Sequence, residues 1–257
     1  MVNFESINEM TSPFDERDLQ IEGLISPELE LPKKLDYRKD LPPVWNQGVD
    51  GPCSAYAAAA MKQWQEFKDY GLKKNLSKYF IYSLRKNYPN RGMYARDTMK
   101  ILQRYGVPSR KSFKKRWKSK ESIPEEVMKE ALNHRIVGYA KVNTIDGLKK
   151  SLLKNGPCYA TFPVYNNDAS FWKPSFGSGK IIGGHAVCIV GYDRHGFIIR
   201  NSWGWDWADD GHSNYSYKDW GSHMEIWTTI DDTTSEPIVI ERNRKTIGEF
   251  FRNLFRK

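Results

Sequence analysis

The sequence predicts an α+β fold of two packed halves with a cleft between them. Helical patterns fill the first part of the chain and strand-like segments the part after residue 157, which is the texture of segregated helices and sheet. A length of 257 residues, 39% hydrophobic and 14% aromatic, is enough to bury one sizeable core and lies outside the disordered class. Three cysteines, Cys53, Cys158 and Cys188, are too few for a disulfide framework in a chain of this size, so a reducing compartment suits it.

In chain order, residues 1–32 form an acidic leader without sustained periodicity. Pro32 and the pair Pro42-Pro43 punctuate the approach to Trp45. The run from Pro52 to Tyr70 predicts a helix: proline suits the first turn, where its missing N–H costs nothing, and Gly71 supplies the stop. Its alanine-rich first half is apolar on nearly every face, as a centrally buried helix requires. Further helices are expected around 77–87, around 95–105 (stopped by Gly106 and Pro108) and over 145–155. Strands are expected at 158–164, 185–193, 196–204 and 224–230, from their β-branched and aromatic content and turn residues such as "DRHG" between them.

The net charge of +9 hides a division. The leader holds eight acids and one base, about −7, against about +16 for the rest of the chain. Basic residues concentrate in 109–120 and in the tail 241–257. Such patches suit nucleic acid, an anionic surface or an acidic partner, but a solvated basic face is the commoner case. Nucleic acid is disfavoured, because the stretch holding Phe113 and Trp117 must also cover the helical half. The tail places Ile247, Phe250, Phe251, Leu254 and Phe255 on one helical face, so the 247–255 segment is expected to dock on the body or on a protein partner, rather than on a membrane. No stretch is long and apolar enough to span a bilayer, no His/Cys/Asp/Glu spacing implies a metal, no cofactor is called for, and no secretory signal is visible.

The chemistry centres on "NQGVDGPCSAYAAAAM", residues 46–61. A cysteine in the first turn of a buried helix meets free N–H groups and the helix dipole, which favour a thiolate. A thiolate nucleophile needs an imidazole, a residue to orient that imidazole, and donors for an oxyanion. "GGHAVCIVGYD" offers His185 after two glycines that allow close backbone approach, Gly184 among them. "RNSWGWDW" offers Asn201 at the end of the next strand, and a hairpin would set the two side by side. Gln47, six residues before Cys53, can swing an amide toward the same spot.

These four residues in this order make the chain resemble a papain-family cysteine peptidase, from about Leu35 to about Thr229. It is most similar to the disulfide-free branch of bacteria and large DNA viruses, whose "LDxRxxxPPVxxQGxxGxC" opening appears here as "LDYRKDLPPVWNQGVDGPC" and whose "GxxxRDxMKxLxxYGV" helix appears as "GMYARDTMKILQRYGV". The resemblance implies a papain-like two-lobed fold, with a helical lobe carrying the cysteine and a β-barrel-like lobe carrying histidine and asparagine. It implies Cys53 as nucleophile, His185 as acid/base, Asn201 as orienter and Gln47 as oxyanion donor. Trp203 would shield the Asn201–His185 bond and Trp207 would line the leaving-group side of the cleft. The substrate-facing glycine pair of better-known members stands here as Gly92-Met93, which would crowd a subsite. Ser54 replaces the tryptophan that follows the nucleophile in animal and plant enzymes.

The expected organisation is a leader (1–32), a catalytic domain (33–232) and a basic tail (233–257), in a cytoplasmic or virion-associated peptidase acting on protein or peptide. Two rivals remain at this point. One is a structural or assembly protein, of a virus particle or otherwise, with little or no proteolysis; the other is acyl transfer to an amine by the same residues. The leader is expected either to lie on the basic surface near the cleft, held by salt-sensitive attraction, and to obstruct it in part, or, on equal footing, to pack behind the body or bind another subunit.

Overall fold

The structure is a computed structural model and describes residues 9–48, 52–71, 73–114, 119–174 and 179–230. The tail, with the helical face expected over 247–255, and Trp117 of the basic stretch lie outside these residues.

Helix α1 (Cys53–Tyr70) is the axis of the helical half. Pro52 stands one position before the helix rather than inside it, and its carbonyl accepts the Tyr56 N–H at 3.1 Å. Gly71 ends the helix in the left-handed conformation, φ 66°. Around it pack α2 (Lys78–Ser83), capped by the Ser77 hydroxyl, and α3 (Ala95–Arg104), while α4 (Glu125–Leu132) adds Val127 and Ala131 to the same core. The α4 segment had no counterpart among the expected helices, although Pro124 before two glutamates is a start signal.

The other half begins with β2 (Gly138–Lys141) and α5 (Ile145–Asn155), which follow the short strand β1 (Leu35–Asp36) in numbering. It continues through β3 (Cys158–Val164), β4 (Gly183–Tyr192), β5 (Gly196–Arg200), β6 (His212–Ser216) and β7 (Glu225–Ile230). All pairs are antiparallel, in the order β2-β7-β3-β4-β5-β6, with β1 added to β4. Strands β1, β2 and β6 are too short or too polar to be read from alternation.

Two cores result. On β4, Ala186, Cys188 and Val190 face α1, whereas Val187 and Ile189 face an aromatic cluster that includes Phe162, Phe171, Trp172 and Tyr215. Period-two alternation thus lets one strand close both halves. Phe113 is buried against Phe80, ring centroids 6.0 Å apart, so it is not available to stack on a base. Cys158 and Cys188 are buried free thiols in the sheet.

The leader is part of this architecture. Ile21 is fully buried in the sheet-side core, Gln20 bridges Lys141, and the Glu22 carboxylate accepts the N–H groups of Asn143 and Thr144 at the start of α5. Asp18 pairs with Arg96 at 2.6 Å, both side chains nearly buried. Attachment of this kind rests on packing and shielded charge, so salt screens it less than the exposed attraction expected from net charge.

Candidate active site

Strands β4 and β5 form the hairpin that joins His185 to Asn201. Cys188 pairs with Arg200, and the His185 Nε2 and Asn201 Oδ1 lie 2.7 Å apart. Trp203 stacks on the imidazole with ring centroids 4.6 Å apart and an interplanar angle of 23°, which removes that bond from water. The His185 Nδ1 has no hydrogen-bond partner among the described residues. The N–H of the next residue, Ala186, acts on the Cys53 thiol and draws its pKa down against burial, and packing of α1 on β4 sets Cys53 beside the strand that carries His185.

Gln47 arrives on a separately anchored arm. Its backbone N–H donates to the Ser202 carbonyl at 2.8 Å, and its side-chain oxygen accepts the Ser202 hydroxyl at 2.5 Å. The amide nitrogen Nε2 is buried and unpaired among the described residues, leaving its donor capacity for a developing negative charge. Behind this arm, the buried Arg200 guanidinium donates to the carbonyls of Pro42 and Pro43 at 2.7 and 2.8 Å. The proline pair and Arg200 were legible only as a turn and a strand residue; their tether depends on three-dimensional proximity.

The other expected contacts divide. The Met93 side chain is buried in the helical core, with its sulfur 4.0 Å from the Thr98 hydroxyl. Its backbone carbonyl and that of Gly184, the residue before His185, are taken by the leader: Met10 N–H donates to Met93 at 3.0 Å and Glu9 N–H to Gly184 at 2.9 Å. A Cβ on Gly184 would lie 2.1 Å from the Glu9 carbonyl, so glycine is what permits this approach. Gly92 takes φ 83°, a left-handed turn beside Met93. Trp207 is half-buried edge-on to Trp203, and its indole N–H is committed to the Asn167 carbonyl at 2.8 Å.

Glu9 was not singled out in the sequence, and it is the residue nearest the chemistry that sequence reasoning missed. Its side chain is buried; Tyr159 of β3 donates to one carboxyl oxygen at 2.6 Å and the Ser54 hydroxyl to the other. Burial, with Glu225 adding repulsion, raises its pKa from 4.5 to about 8 despite those two bonds. Burial, and then the neighbouring Glu9, push Cys53 up to about 12, while burial lowers His185 to about 4. With residues 9–32 in place the pair is therefore a neutral thiol and a neutral imidazole. The thiolate expected from the helix terminus is not favoured here, because loss of solvent outweighs the helix dipole.

The sequence profile of the papain family of cysteine proteases matches residues 31–229. The chain belongs to that family. Its papain-like fold is close to that of xylellain, a cysteine protease from Xylella fastidiosa, with a TM-score of 0.74 and 27% identity over 90% of this chain and 98% of that one. It is also 29% identical over 226 residues to an uncharacterized peptidase C1-like protein of Acanthamoeba polyphaga mimivirus, covering 76% of this chain and 71% of that protein. Procathepsin L of Rattus norvegicus is 26% identical over 82% of this chain and 66% of its own length. The relatives are thus viral and bacterial as well as animal, and the papain-family chain has the biochemical class of a cysteine peptidase acting on protein. Among the described residues no His/Cys/Asp/Glu group could hold a metal, and no helix is long and apolar enough to cross a membrane.

Proposed function

We propose that this chain hydrolyses peptide bonds with Cys53 as the nucleophile, and that residues 9–32 are a built-in gate on the cleft. The observation that carries the first part is the buried His185–Asn201 bond under Trp203, one residue from the Ala186 N–H beside the Cys53 sulfur. When the leader leaves, water and substrate dipoles return to the site, and the proton moves from Cys53 to His185. The thiolate then attacks the carbonyl carbon. Gln47 Nε2 supports the oxyanion, and His185 gives its proton to the departing amine. His185 next removes a proton from water, whose oxygen attacks the acyl carbon; the C–S bond breaks, the carboxyl product leaves, and the thiolate–imidazolium pair is restored. Asn201 keeps the ring turned toward Cys53 throughout.

The gate reading is supported by Glu9 and Met10, which use the backbone acceptors flanking the cleft, and by the neutral resting pair beneath them. The test is turnover of an unfolded protein by the full chain, by Cys53→Ala and by Glu9→Ala, with and without an added amine. Hydrolysis lost in Cys53→Ala and raised in Glu9→Ala is expected. Product carrying the amine in place of a free carboxylate would indicate acyl transfer, and no turnover by any of them would favour an assembly role.

A further inference from the structure

The Glu9 side chain is buried in a pocket whose contacts with it are polar. Two hydroxyls from different elements, Ser54 Oγ of α1 and Tyr159 OH of β3, converge on one carboxyl group. The charged neighbour acting on that carboxyl is Glu225 of β7, which repels a negative occupant. Glu225 is itself engaged, one oxygen accepting the Ser12 N–H and hydroxyl at 2.9 Å each, the other the Trp227 indole N–H at 3.0 Å. Lys141 stands 3.9 Å from the Glu225 oxygen that the indole holds, and the groups bonded to the Glu9 carboxyl itself are two hydroxyls rather than a cation.

We propose that Ser54 and Tyr159 form a specificity pocket selecting a carboxamide side chain, glutamine above all, in the peptide substrate. This rests on the peptidase reading and names the substrate class of the same cleft. Glutamine has the length and shape of a protonated glutamate. Its oxygen accepts from one hydroxyl, as Glu9 does now, and its NH₂ donates to the other, because a hydroxyl both gives and takes a hydrogen bond. An ionised glutamate would enter a site buried from water and facing Glu225, at the cost that already favours the protonated form of Glu9. Leucine would cover both hydroxyls and offer neither of them a hydrogen bond. Sites built to hydrogen-bond a substrate group reject analogues lacking it far more strongly than apolar pockets reject small changes in size. The leader also shows that a side chain reaches this pocket while its backbone bonds Gly184, as an extended peptide would.

The test uses the full chain carrying Glu9→Ala, which removes the side chain that fills the pocket and anchors the leader over the cleft. Fluorogenic peptides differing only by Gln, Glu, Leu or Lys at each position before the scissile bond are compared by kcat/KM at pH 7. Binding of the same peptides to Glu9→Ala/Cys53→Ala is measured by calorimetry. At one position Gln should exceed Leu, Lys and Glu by at least tenfold in both readouts, and Tyr159→Phe or Ser54→Ala should reduce that margin severalfold. Turnover with Leu or Lys preferred, or a Gln preference untouched by both variants, overturns the pocket assignment while leaving the peptidase intact. Selective Gln binding without any turnover keeps the pocket and overturns the peptidase reading.

Discussion

Replacing Glu9 by glutamine should convert a pH-dependent gate into a pH-independent one. In the free leader this carboxyl titrates near 4.5; docked, burial raises it to about 8. The docked state therefore binds the proton more tightly, so docking is strongest below pH 4.5, weakens as pH rises from 4.5 to about 8, and levels off above that. At about 1.4 kcal/mol per pKa unit, the full span corresponds to about 5 kcal/mol of lost docking. The groups facing the carboxyl are Cys53 and Ser54 on α1, Tyr159 on β3 and Glu225 on β7. Because Cys53 and His185 also titrate, the informative quantity is the ratio of wild-type to Glu9→Gln activity on one small peptide. Glutamine stays neutral and keeps the leader docked at every pH. The ratio should be near one at pH 5 and rise at least tenfold by pH 8. A ratio that is flat across this range, or that falls, would refute the docked, protonated Glu9 as the source of the gate.

The remaining predictions concern the site and its supports. Gln47→Ala should lose about 2.7–4 kcal/mol of transition-state stabilisation in kcat/KM, the loss of an oxyanion donor, while Asn201→Ala, which only orients His185, retains measurable turnover. Arg200→Met leaves the Pro42 and Pro43 carbonyls unpaired and should cost about 2–4 kcal/mol in urea unfolding, with kcat falling as the Gln47 arm loosens. Glu66 is buried among Lys62, Lys74 and His134, and these partners hold its pKa at about 2 against its own desolvation. Its stabilisation should be complete above pH 4.5 and be lost as pH falls toward 2, and Glu66→Gln should flatten that part of the urea-midpoint profile.

Much of this arrangement was legible before the fold was known. The helix beginning at Cys53 announced itself by Pro52, the alanine run and Gly71, and the β4–β5 hairpin by "DRHG", where the Asp193 carboxylate accepts the His195 N–H at 2.7 Å. Those two elements carry Cys53, His185 and Asn201, so the residues of the site could be read from local signals. What escaped depends on contacts between distant segments. The Arg200 guanidinium reads as an ordinary strand residue until the proline carbonyls come to it. Glu9 reads as one acid among eight until Ser54 and Tyr159 close around it. Net charge suggested a leader drawn to the body, but the buried Ile21 and the backbone bonds of Glu9 and Met10 set its path, and neither follows from charge.

The central claim, a Cys53 nucleophile activated by His185 beneath a removable leader, is tested most directly by covalent labelling with a peptidyl epoxide followed by peptide mapping. At pH 8 the folded full chain should be labelled at Cys53 and at neither Cys158 nor Cys188. The rate should exceed that of a simple thiol, rise further at pH 6 in Glu9→Ala relative to wild type, and vanish in His185→Ala. Equal labelling of all three cysteines, or no labelling of Cys53 even in Glu9→Ala, would contradict it.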